Sequence, residues 1–161
     1  MEQTTNAIAR ACAAGSNTRI AEMKHHISPE DDRFRSAFEA LQIEPGEFDH
    51  AAHVRLAYVY LCEDSVEGAV GRMKGALLAF LGHLGVGESK YHETITRAWV
   101  MAVDHFMNRT EACSSCADLI RINPQLLDSK IMLTHYSADV LFSPAARKAF
   151  VEPNIQSIPP S

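Results

Sequence analysis

The chain has 161 residues, 47% hydrophobic and 22% charged, which is enough to bury one core without disulfide or metal staples. Its formal charge is −5 and its Lys and Arg residues are scattered, which argues against a nucleic-acid partner, because phosphate binding draws on a basic surface. No apolar run approaches the ~20 residues that span a bilayer, and no basic-then-apolar leader opens the chain, so a cytoplasmic protein with reduced cysteines and no membrane partner is expected.

Residues 1–27 hold one short helical pattern, Ala7 to Ala14, broken at Gly15-Ser16-Asn17, and read as a flexible arm whose His25-His26 pair meets solvent. Ser28-Pro29-Glu30-Asp31 then combines an N-cap, a proline at the first helical position and acids in the first turn. It predicts a helix to about Leu41, ended by Glu44-Pro45-Gly46. A second helix is expected from Asp49 through Leu61, with Phe48 placed as a hydrophobic staple.

The third, from Ser65 to Leu84, carries the cleanest stripe: Val66, Ala69, Val70, Met73, Leu77, Phe80, Leu81 and Leu84. Gly85 is a natural residue to end it. The fourth is expected from Ser89 to Asn108, with Ile95, Ala98, Trp99, Val103 and Phe106 inward. Shorter helices are expected to start at Thr110, Asn123, Ser137 and Ser143-Pro144, before a proline-bearing tail at 151–161. No strand alternation or internal repeat is visible, so the fold class is all-α: a single-domain irregular helical bundle over 28–150, with three long central helices and short C-terminal ones.

Where the eight histidines fall says more than their number. At roughly 100° per residue, His50 and His53 flank Ala57 on the arc that holds Val54, Leu56, Tyr60 and Leu61, whereas Arg55 and Cys62 lie opposite. Both imidazoles should point to the core, three residues apart. His92 sits on the inward edge of its own helix, under Thr96 and Trp99. Three imidazoles on adjacent helices suit a divalent metal ion, with His50, His53 and His92 as ligands and Glu47, Asp49 or Glu93 close by. Glu93 projects roughly 100° away from His92 and is the less natural co-ligand. The plainer reading stays open: each imidazole hydrogen-bonded separately, His92 capping its helix, and no metal. No His-Glu-x-x-His motif is present.

Tyr91-His92-Glu93-Thr94-Ile95-Thr96 opens a helix, where free N–H groups and the dipole favour an anion, and its hydroxyls could orient one or merely cap the helix themselves. Cys113-Ser114-Ser115-Cys116 is a C-x-x-C after a cap at Thr110; a redox pair is one reading, two buried thiols the plainer one.

The strings Phe48-Asp49-His50-Ala51-Ala52-His53-Val54-Arg55-Leu56-Ala57, Lys90-Tyr91-His92-Glu93-Thr94-Ile95-Thr96 and Leu141-Phe142-Ser143-Pro144-Ala145-Ala146-Arg147 resemble a pattern in an uncharacterised family of small bacterial all-helical proteins. The resemblance spans about residues 30–155 and implies a shared fold and a shared site at His50, His53, Arg55, Tyr91, His92, Glu93, Thr94 and Thr96; it implies no reaction. Together these readings point to a small metal-dependent enzyme with Fe, Zn or Cu on His50, His53 and His92. Tyr91, Glu93, Thr94, Thr96 and Arg55 would act on a small polar or anionic substrate, in a monomer or a homodimer. The competing reading is a metal-free binding or accessory module with structural histidines.

Overall fold

Capping chemistry sets where the helices begin. A computed structural model describes residues 24–160. Helix α1 spans Pro29–Glu39; Ser28 Oγ accepts from the Asp31 N–H and the Asp31 carboxylate accepts from the Ser28 N–H, a reciprocal capping box. Helix α2 spans His50–Glu63, capped by Asp49 on the Ala52 N–H at 2.9 Å. Phe48 packs on His53, four positions into the helix, with ring centroids 5.7 Å apart, so the staple joins an aromatic to an imidazole. Helix α3 spans Val66–Leu84, with Ser65 as its cap and Gly85 at φ 69°, the left-handed conformation that glycine adopts without strain.

Helix α4 spans Glu93–Arg109, and the shorter α5, α6 and α7 span Cys116–Ile122, Ala138–Leu141 and Pro144–Lys148. Short stretches of 3₁₀-helix at Pro45–Glu47, Glu88–Lys90, Pro124–Leu127 and Ser129–Thr134 join them. No strand occurs among the described residues, and the chain is an all-α single domain, as its periodicity predicts. Helices α2, α3 and α4 pack on one another, α1 lies across α2 and α3, and α7 packs on α4.

Val54 and then every residue from Leu56 to Tyr60 is buried, so α2 is covered all round. That corrects the reading of Arg55 and Cys62 as outward: α1 and α5 cover that side of α2, and both residues are half-buried. Phe38, fully buried, stacks on Phe48 at 4.6 Å and meets the tilted ring of Phe80 at 4.9 Å, which ties α1 to α3.

Two helix starts differ from expectation. Helix α4 begins at Glu93, because His92 Nδ1 accepts from the Ile95 N–H; residues 88–90 form a separate turn and Tyr91 is extended. Thr110 ends α4, its hydroxyl donating to the Phe106 carbonyl, and the next helix waits for the Ser115 cap. The pattern at Ala7–Ala14 lies outside the described residues. His25, expected in solvent, is half-buried and bonded at both ring nitrogens, to the Met107 carbonyl at 2.7 Å and the Cys113 N–H at 3.0 Å. From 149 to 160 the chain is free of helix, as expected, but held: Val151 N–H donates to Thr94 Oγ1 and Ile158 is 6% exposed.

Candidate functional site

The first turn of α2 and the first two turns of α4 face a cleft of about 310 Å³, closed on its other side by the segment Ser129–Thr134 and by Leu141 and Phe142. Its lining includes His50, His53, Ile95, Trp99, Lys130, Leu133 and Phe142. His50 meets Trp99 edge-on, centroids 4.4 Å apart, and its Nε2–H donates to the Leu126 carbonyl at 2.9 Å. That bond leaves Nδ1 as an acceptor. His53 is different, since its Nε2 is buried without a hydrogen-bond partner among the described residues. Burial, with the His50 ring beside it, pushes the His53 imidazole down to about 4, so it is neutral at pH 7. A neutral imidazole with a free nitrogen in an apolar cleft can accept or donate one hydrogen bond, or bind a metal.

His92 does not join this pair as a third ligand. Its Nδ1 accepts from the Ile95 N–H at 3.2 Å, and its Nε2–H donates to the Leu141 carbonyl at 2.9 Å. Both nitrogens are therefore used by the fold, and burial holds the ring below its ordinary range against the pull of that carbonyl. Among the described residues no three His, Cys, Asp or Glu side chains are grouped to hold a metal ion. Glu47 and Asp49, the suggested co-ligands, line another groove, and Glu93 pairs with Lys74 Nζ at 2.9 Å.

The remaining expected site residues are dispersed. Tyr91 is buried beside Glu93 and Thr96, its hydroxyl without a hydrogen-bond partner among the described residues, and Lys74 Nζ lies 5.6 Å from its ring centroid. Thr94 joins α4 to the chain after α7, donating to the Ala149 carbonyl at 3.0 Å and accepting from the Val151 N–H at 3.1 Å. Arg55 reaches the opposite side of α2, where its Nε–H donates to Asp31 Oδ1 at 2.7 Å. Neither Tyr91, Glu93, Thr94, Thr96 nor Arg55 lines the histidine cleft.

Asp31 is fully buried. Burial opposes its ionisation, but hydrogen bonds from the Cys116 N–H, Arg55 and Ser28 outweigh that and hold the carboxyl below its ordinary range. Nearby, the C-x-x-C cysteines are buried free thiols. Burial, reinforced by the Asp31 charge, pushes Cys116 up to about 12, and burial raises Cys113 also, so the thiolate of a redox pair is disfavoured.

Sequence reasoning missed Asp31, Lys130, Leu133 and Phe142. Asp31 carried the signal of an ordinary first-turn acid, and the residues from 129 to 142 lie in short turns without a 3.6-residue period. No protein-family model matches the chain, and neither a curated protein nor a solved structure does.

Proposed function

We propose that the protein is a metal-free binding module and that its site is the cleft between His53 and Lys130. The occupant is a small amphipathic anion. Its apolar body would rest on Ile95, Trp99, Leu133 and Phe142, its charge would meet Lys130, and a polar atom would complete His53 Nε2. The observation that carries this reading is the hydrogen bonding of His92: an imidazole bonded at both nitrogens inside the fold cannot also be a ligand. Apolar walls with a few polar groups are the usual make-up of small-molecule sites, and among the described residues no carboxylate lines this cleft to repel an anion.

A metal-dependent enzyme is the second reading. Its specific support is the unpartnered Nε2 of His53, three residues from His50.

Trp99 is the only tryptophan in the chain and lines the cleft, so its fluorescence reports occupancy. Octanoate is expected to change it saturably and octylammonium to leave it unchanged. Lys130→Met should weaken octanoate about two- to fivefold, the worth of one exposed charge contact. No saturable change with octanoate would overturn the proposal. So would near-stoichiometric metal in the purified protein that His53→Ala removes, which would favour the enzyme.

A further inference from the structure

On the far side of α2 a separate groove of about 380 Å³ has apolar walls from Phe34, Ile43, Ala51, Ala52 and Ile120 and three charged groups: Arg55, Glu47 and Asp49. The Arg55 guanidinium is fixed from two directions. Its Nε–H donates to the fully buried Asp31, and its plane lies over Phe34, 5.3 Å from the ring centroid. Among the described residues its two Nη groups have no hydrogen-bond acceptor, although a guanidinium fork is built to meet one carboxylate with two parallel bonds. Asp31 cannot be that second partner, because its other oxygen accepts from the Ser28 and Cys116 N–H groups.

The acids at the groove complete the pattern. Asp49 accepts from the Ala52 N–H through Oδ1 and Glu47 accepts from the Glu44 N–H through Oε2, which leaves one oxygen of each carboxylate without a protein donor among the described residues. One guanidinium, already paired with Asp31, thus shares the groove with two further carboxylates. A simple anion would be repelled by that balance, and a simple amine would leave the fork empty. A molecule carrying both charges satisfies both ends.

We propose that this groove is a second binding site, independent of the histidine cleft, for a small zwitterion: an α-amino acid with an apolar side chain. Its carboxylate meets the Nη groups of Arg55, its ammonium meets Glu47 and Asp49, and its side chain lies against Phe34, Ile43 and Ile120. The volume falls within the range of small-ligand sites.

The test is an amide-resonance NMR titration of the full chain with L-phenylalanine, 3-phenylpropionate and phenethylamine in turn. L-Phenylalanine is expected to shift the amides of Ala51, Ala52 and Ala117 saturably, and each single-charge analogue to bind about tenfold more weakly. The Glu47→Gln/Asp49→Asn variant keeps both capping oxygens and should lower L-phenylalanine to the level of 3-phenylpropionate. Ala117→Trp adds bulk at an exposed position lining the groove, leaves the Arg55–Asp31 pair intact, and should abolish the shifts. The proposal is overturned by no saturable shift up to about 20 mM, far weaker than metabolite sites. Equal binding of the three probes, or full binding to Ala117→Trp, overturns it too. Shifts confined to Trp99 and Lys130 would also overturn it, and would leave the proposal for the histidine cleft standing.

Discussion

Four imidazoles donate to backbone carbonyls in the irregular parts of the chain or at helix ends: His25 to Met107, His50 to Leu126, His92 to Leu141 and His135 to Gln156. The last carbonyls of a helix or turn have no partner of their own, and a neutral imidazole supplies a directional donor on an otherwise apolar ring. His53 lacks such a bond, and the imbalance has a pH signature. Its imidazole falls from the ordinary 6.5 to about 4 on folding, so between those values the unfolded chain binds the proton and the folded chain does not. Stability from His53 is complete above pH 6.5 and is lost as the pH falls toward 4. The residue as a whole keeps some exposure although its Nε2 is buried, so we expect a loss of about 1–3 kcal/mol between pH 7 and 4.5. Urea unfolding of His53→Phe at both pH values should show a smaller loss. His92, displaced in the same direction, keeps part of the slope in both proteins. Equal losses in parent and variant would show that His53 does not titrate as described.

The boundary that the sequence misplaced gives the next test. Ser28, Asp49, Ser65 and Ser143 each cap the helix that follows, and each was legible because capping depends on a residue and the next three. Ser89 had the same credentials and failed. The turn at Glu88–Lys90 has no side-chain cap, and the Leu141 carbonyl, 49 residues away, fixes the His92 ring so that its other nitrogen caps α4. A contact that remote has no local signature. His92→Asn retains a capping acceptor but not the bond to Leu141, while His92→Ala loses both. The Asn variant should be about 1 kcal/mol more stable than the Ala variant, the usual worth of a cap. Hydrogen exchange at the Ile95 amide should quicken only in the Ala variant. Equal stability with equal exchange would mean that the His92 nitrogen does not cap α4. The inward placing of His50 and His53 was legible for the opposite reason: a 3.6-residue wheel needs only the helix itself. Where their partners lie depends on turns without any period.

At the scale of the molecule, residues after about 122 complete the histidine cleft, which the three-helix core alone leaves open. They supply the carbonyls that His50 and His92 bond, both partners of Thr94, and one wall of the histidine cleft. These segments are short, and isolated helices of such length are unstable in water, so tertiary contacts must hold them. The contacts form a chain. Tyr136 donates to the Val151 carbonyl, Ile155 N–H to the His135 carbonyl and Ser137 N–H to Asn154, while Ile158 is buried near the end. Because each links the tail to the short turns before it, the turns and the tail should open as one unit below global unfolding. Ile158→Ala removes the last apolar anchor at a cost of about 1–3 kcal/mol, toward the low end for a buried aliphatic because the site lies at the periphery. Native-state hydrogen exchange should then accelerate together at Leu141, Val151 and Ile155, while amides of α2 such as Val59 keep their protection. Loss of protection throughout α2 would mean that the tail and the core unfold together; loss at Ile155 alone would mean that the tail frays without the turns. With the joint opening expected here, the variant should also bind octanoate more weakly, its apparent Kd rising as the reciprocal of the closed fraction, because Leu141 and Phe142 leave the cleft wall with the tail.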